Sequence, residues 1–158
     1  MSQQRILFVC TGNICRSPTA EGVARALAEK QGAGHLFTFD SAGTIGYHSG
    51  EPPDQRAIAA AAKRGYDLAP LRARQVAEKD FVRFDHVLAM DRGHLKVLEK
   101  LCPAEHQQGL GLFLEFANKG TEDEVPDPYY GGPEGFDYVL SLVESAADQL
   151  IRRLSMTV

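Results

Sequence analysis

Ile6-Leu7-Phe8-Val9-Cys10-Thr11-Gly12-Asn13-Ile14-Cys15-Arg16-Ser17-Pro18 is the stretch that decides the fold. Four apolar residues in a row, stopped by a Gly-Asn turn, are the pattern of a strand buried on both faces of a parallel sheet. Ser17 followed by Pro18 then reads as an N-cap and a first helical position. The helix continues with Val23, Leu27 and several alanines on one face and is expected to end near Gln31-Gly32. Strand, tight loop and helix therefore follow one another within the first thirty residues.

The same alternation continues outward from that unit. Leu36 to Ser41 predicts a second strand, followed by a glycine-rich loop through Gly43, Gly46 and Gly50. An alanine-rich helix is expected from about residue 54 to 64, closed by Gly65. Phe84 to Met90 predicts a third strand, with Asp91 capping a helix to about Leu101 ahead of Pro103. Leu110 to Leu114 predicts a fourth strand, then a long irregular stretch, then a closing helix over 135–154 with Arg152 and Arg153 complementing its dipole. Strands alternating with helices imply an α/β fold: a four-stranded parallel sheet with helices on both faces. Ligands of such sheets bind beyond the carboxyl ends of the strands, which directs attention to the loop after the first strand and to residues 120–132.

Composition sets bounds on function. A chain of 158 residues, 44% hydrophobic and 24% charged, is of one-domain size (1–158) and ordinary globular make-up. Seventeen Lys and Arg against twenty-one Asp and Glu give a net charge of −4, which speaks against nucleic acid as a partner. The charge is uneven. Residues 1–114 carry fourteen bases and twelve acids, residues 115–137 one base and seven acids, and the remainder balances. Three cysteines, an odd number, do not make a disulfide framework. Without a signal-peptide core or an apolar run of spanning length, the expectation is a cytoplasmic protein with no membrane partner.

The loop from Cys10 to Ser17 carries the chemistry. The Cys-x5-Arg spacing alone is a weak signal; a buried strand before it and a capped helix after it make it a strong one. Successive N–H groups of Thr11, Gly12, Asn13, Ile14 and Cys15, at a helix N-terminus, can form a nest for an anion. The same field favours a thiolate at Cys10. Arg16 can bind two equatorial phosphate oxygens with its planar fork, and Ser17 can donate to the cysteine sulfur. The competing readings are a small buried core cysteine and a nucleotide loop, for which neither glycine fingerprint is present.

Phosphomonoester cleavage also needs an acid to protonate the leaving oxygen. Asp127, in Val125-Pro126-Asp127-Pro128-Tyr129-Tyr130, is the candidate, although Asp-Pro alone is more commonly a turn. With Cys10-Thr-Gly-Asn-Ile-Cys-Arg-Ser-Pro18, Asp127-Pro128-Tyr129-Tyr130, and between them Asp40-Ser41-Ala42-Gly43, Ala73-Arg74-Gln75 and Phe84-Asp85 to Met90-Asp91, the sequence resembles the low-molecular-weight protein tyrosine phosphatases over essentially its whole length.

The resemblance implies hydrolysis of phosphotyrosine proteins or peptides through a cysteinyl-phosphate on Cys10. Arg16 would hold the phosphoryl group and Asp127 would act as acid, then base, with neither metal nor cofactor. Inorganic phosphate would be product and inhibitor. Asn13, Ser17 and Ser41 are implied supports of the loop, and Tyr47, Tyr129 and Tyr130 pocket walls. Ile14 distinguishes the chain from protein arginine phosphatases, which tend to have threonine there. Cys15 is implied as a partner for reversible oxidation of Cys10. Many members have a histidine where Leu71 stands, which raises the question of what braces Asn13. Arsenate reductases of this fold need further cysteines, and Asp91-Arg92-Gly93-His94 occupies the place where those usually lie. A non-catalytic phosphate-binding module would need neither Cys10 nor Asp127. The acidic neighbours Glu122, Asp123 and Glu124 are expected to favour the protonated form of Asp127.

Overall fold

The computed structural model describes residues 3–118, 122–129 and 131–156. The strand predicted at Ile6–Val9 is the middle of β1 (Gln4–Cys10), in which Ile6, Leu7, Phe8 and Val9 are wholly buried. Its side chains alternate. Ile6, Phe8 and Cys10 face one core layer, and Leu7 and Val9 face the other, as the two-residue period of a strand requires. Burying each of the larger side chains contributes about 1.5–3 kcal/mol.

Among the described residues the sheet has four parallel strands in the order β2 (Phe37–Gly43), β1, β3 (His86–Ala89), β4 (Leu110–Leu112). On one face lie α1 (Arg16–Lys30), α5 (Phe113–Asn118) and α6 (Pro133–Ser155), packed around Phe8, whose ring meets Phe113 edge-on at 5.0 Å. The other face is covered by Phe81 of α3 (Asp80–Arg83) and Leu98 of α4 (Arg92–Leu101). Helix α2 (Gln55–Lys63) brings Ala57 against Phe136 of α6 and Cys15 of the first loop.

Register places the site. Cys10 pairs with Gly43 at the end of β2, and Val9 with Ala89 at the end of β3. Three strand ends thus meet at one edge, where the loop after β1 begins.

Three local expectations are corrected. Helix α1 starts at Arg16 with Cys15 in the capping position and no side-chain cap, so Ser17 lies inside the first turn, where its hydroxyl has another use. The fourth strand ends at Leu112. Phe113 and Leu114 turn into α5, burying both side chains against the core, so the stretch expected to be irregular begins as a helix. The closing helix starts two residues earlier than predicted, at Pro133, whose missing N–H costs nothing in a first turn. No helix among the described residues is long and apolar enough to cross a membrane.

Candidate active site

The loop after β1 is hung from its carbonyls. The Cys10 oxygen accepts from Thr44 N–H (2.9 Å), Thr11 from Ile45 N–H (3.1 Å), Ile14 from Asp54 N–H (2.8 Å), and Cys15 from the Thr19 hydroxyl (2.7 Å). Because a trans peptide points its N–H opposite its C=O, these outward carbonyls turn the amides of Thr11, Gly12, Cys15 and Arg16 inward. With no acidic residue and no side-chain cap in its first turn, α1 presents its free amides and positive end to the same space.

Asn13 makes the curl possible. It is the only non-glycine residue with positive φ (60°) among those described, a conformation asparagine tolerates better than most. Its side-chain amide donates to Ser17 Oγ (2.8 Å) and Ser41 Oγ (2.9 Å), and its Oδ1 accepts the backbone N–H of Arg74 (2.9 Å). The brace questioned because of Leu71 is therefore a main-chain group, which any side chain at 71 leaves in place. Ser41 in turn donates to the buried carboxylate of Glu21 (2.7 Å).

This chain of bonds has a direction. Since Ser17 Oγ accepts from Asn13, its own proton is free to point at Cys10 Sγ, 3.0 Å away, in preference to the Ala42 carbonyl at 3.4 Å. A hydroxyl so placed can donate to a charged sulfur. Cys15 is different. Burial, then the negative groups of Asp54, Cys10 and Asp127, push its thiol up to about 12, so it stays protonated. Both loop cysteines, and Cys102, are free.

Arg16 is buried at the back of the loop. Its Nη1 donates to Asp91 Oδ2 (2.9 Å) and to the Val125 carbonyl (3.0 Å), while Nη2 lies 3.7 Å from Asp127 Oδ2. One edge of the guanidinium is thereby anchored, and Nη2 and Nε remain for oxygens in the loop. Asp91 also caps α4, accepting from His94 N–H at 3.0 Å. Burial raises the pKa of its carboxyl, but the His94 amide, the His94 ring and Arg16 outweigh this and leave it below the usual carboxylate range.

Asp127 stands across the same cavity of about 240 Å³ that Cys10 floors, half exposed, its Oδ1 accepting from Tyr129 N–H (3.0 Å). The walls are Thr11, Gly12, Ile14, Cys15, Ile45, His48 and Tyr129. The Arg56 guanidinium holds Tyr129 in place, packing over its ring (5.1 Å) and that of Phe136 (4.8 Å) and donating to the Tyr129 carbonyl (2.9 Å).

The structure does not bring Tyr47 to the wall. Its ring is 81% exposed and lies edge-on against His48, which with Ile45 takes that place. Tyr130 lies outside the described residues. The acidic run has partners of its own: Glu122 accepts from the Tyr138 hydroxyl (2.9 Å), Asp123 pairs with the Arg92 guanidinium, and Glu124 accepts the Arg92 N–H (2.8 Å). Together with Val125 N–H to the Met90 carbonyl (2.8 Å), these bonds fasten the Asp127 loop to α4 and α6.

Sequence reasoning missed Glu21, His48, Ile45, Arg56 and His94. Glu21 alone left a sequence signal: a charged residue four positions after Ser17, on the stripe that carries the buried residues of α1.

Residues 5–158 match the family model described as low molecular weight phosphotyrosine protein phosphatase. A low molecular weight protein-tyrosine-phosphatase of Streptomyces coelicolor is 48% identical over 150 residues, covering 93% of this chain and 91% of that protein. The low molecular weight phosphotyrosine protein phosphatase of Homo sapiens is 38% identical over 140 residues and 85% of both chains. Among solved structures, a protein tyrosine phosphatase from Entamoeba histolytica with Hepes in the active site superposes with a TM-score of 0.93 at 37% identity, covering 98% of this chain and 99% of that one. Wzb of Vibrio vulnificus, in complex with benzylphosphonate, superposes at 0.83 with 29% identity over 95% and 98% of the two chains. Matching in sequence from residue 5 to the C-terminus and in fold over nearly every residue, the chain belongs to the low molecular weight phosphotyrosine protein phosphatases, a cysteine-dependent, metal-independent family.

Proposed function

We propose that Cys10 is the nucleophile, Arg16 the phosphoryl-binding cation and Asp127 the general acid and base of this phosphatase. The observation that carries the reading is that Cys10, Arg16 and Asp127 line one cavity, with a hydroxyl 3.0 Å from the sulfur. The thiolate attacks phosphorus in line while Asp127 gives its proton to the tyrosyl oxygen, so the P–O bond breaks as the S–P bond forms. Water, deprotonated by Asp127, then attacks the cysteinyl-phosphate and releases inorganic phosphate, with the loop amides and Arg16 holding the charge in both steps.

Phosphate, filling the same nest, is a competitive inhibitor. Ile14, Ile45, His48 and Tyr129 wall the cavity above Cys10, a lining that suits an aryl ring over a recessed phosphate and favours phosphotyrosine over the shorter phosphoserine. A reducing compartment such as the cytoplasm suits a catalytic thiol. Oxidation of Cys10 by peroxide to the sulfenic acid, followed by condensation with the Cys15 thiol and loss of water, would protect it reversibly. The protonated state of Cys15 makes that second step slow.

Hydrolysis of an aryl phosphate tests the assignment. Cys10→Ser should show no turnover, and Asp127→Ala a loss of about 10²- to 10⁴-fold in kcat; full activity in the serine variant refutes the mechanism. Side-by-side phosphotyrosine, phosphoserine and phosphoarginine peptides test the substrate, and a preference for phosphoarginine overturns the role given to the apolar walls.

A further inference from the structure

His94 has no part in the chemistry just described, yet it is built into the site. It stands in the first turn of α4, its N–H bonded to the capping carboxylate of Asp91 and its ring buried. The ring points at the phosphate loop. Nε2 lies 2.7 Å from Thr11 Oγ1 and 3.4 Å from Arg16 Nη2. Nδ1 lies 3.1 Å from Asp91 Oδ1, off line for a hydrogen bond, and is the one buried side-chain nitrogen or oxygen without a well-formed partner among the described residues.

These contacts fix the tautomer. A guanidinium can only donate, so the ring nitrogen facing Arg16 has to carry a lone pair, and the ring proton belongs on Nδ1, beside the Asp91 carboxylate. The Thr11 hydroxyl then donates to Nε2. The charges around the ring agree with a neutral imidazole. Burial, the largest effect, and Arg16 both oppose a second proton, and they outweigh Asp91, Asp127 and Glu124, bringing the pKa down to about 4.

Thr11 follows the nucleophile and supplies an inward amide at the rim of the nest. Its carbonyl is held by Ile45 N–H; its side chain is held by His94. Arg16, anchored through Nη1, has its Nη2 beside the same imidazole nitrogen. We propose that His94 is a positioning residue that holds Thr11 and Arg16, near the two ends of the loop, in the single arrangement that grips a phosphoryl group. The proposal rests on the assignment of the Cys10 loop as the phosphate site. A histidine that merely filled space would contribute to stability alone.

The test compares His94→Ala, His94→Gln, Thr11→Val and the double variant Thr11→Val/His94→Ala. For each, the dissociation constant of inorganic phosphate is measured by calorimetry and kcat/KM with an aryl phosphate. Each of the single variants His94→Ala and Thr11→Val should weaken phosphate binding about 10-fold, the scale of one lost buried hydrogen bond. The double variant should be little worse than the weaker single one, because both remove the same bond. Glutamine can set its amide oxygen where histidine has Nε2, so His94→Gln should recover most of the affinity.

Multiplying effects in the double variant, no recovery with glutamine, or wild-type phosphate affinity in His94→Ala alongside a lowered Tm would each overturn the proposal. Should His94→Ala fail to fold, Thr11→Val and His94→Gln still decide it. A wild-type protein that neither binds phosphate nor hydrolyses the ester would instead refute the phosphate site itself.

Discussion

Two cysteines five residues apart in one loop are given different chemistry by their neighbours. The Ser17 hydroxyl, itself accepting from Asn13, lies 3.0 Å from the Cys10 sulfur, whereas Cys15 is buried among negative groups that hold its thiol up to about 12. Near neutral pH, iodoacetate should therefore alkylate Cys10 and leave Cys15 unmodified, and inorganic phosphate should slow the reaction by filling the nest. Peptide mapping after brief treatment checks this; equal labelling of the two would mean that burial does not set their reactivity. Cys10 and Arg16 stood out in the sequence through their spacing between a buried strand and a helix, and Asn13 through the family resemblance. His94 did not, because nothing in Asp91-Arg92-Gly93-His94 signals that the ring folds back eighty-three positions onto Thr11.

At the level of elements, the sequence was most informative where one period dominated. The unbroken apolar run of β1 and the Asp91 cap of α4 appear as read. The start of α1 was misplaced because Ser17 has two uses, a helix cap or a donor to sulfur, and only the third dimension chooses between them. At Phe113 and Leu114, apolar residues suit strand and helix equally, and packing against Phe8 and α6 decided for a helix.

The end of β2 yields a prediction of its own. A Cβ on Gly43 would lie 2.6 Å from the Thr11 carbonyl oxygen and 3.1 Å from Asn13 N, both backbone atoms of the loop after β1. Neither can swing aside, so Gly43→Ala has to displace the loop. It should cost about 1–3 kcal/mol of stability and reduce kcat/KM by roughly 10-fold or more, since small misplacements of a binding loop are expensive in rate. Thermal melts and steady-state kinetics on the same preparation check both, and unaltered kinetics would show that the loop does not depend on its packing against β2.

On the scale of the whole molecule, the buried titratable groups bound a window of stability. His86 is lowered by burial, and His94, brought down to about 4 by burial and Arg16, stays neutral in the fold down to that value, whereas the unfolded chain protonates histidine near 6.5. Between those values the unfolded state binds protons that the folded state refuses, so stability falls as the pH drops, by up to about 1.4 kcal/mol per pH unit for each proton. Asp91, held below its ordinary value, extends the loss to still lower pH. On the other side, Cys15 and Tyr66, both raised to about 12 by burial first, stay neutral while their unfolded counterparts ionise from about 9 or 10 upward. Their contribution is complete below pH 9 and is lost as the pH rises towards 12. Urea midpoints should accordingly form a plateau from about pH 6.5 to 9 and fall on both flanks. In His94→Gln the acid flank should become shallower between pH 6.5 and 4 without vanishing, because His86 still titrates, while the alkaline flank keeps its shape. An acid flank unchanged by that substitution would mean that His94 is not held neutral, and the packing of its ring against Arg16 would then need a different electrostatic account.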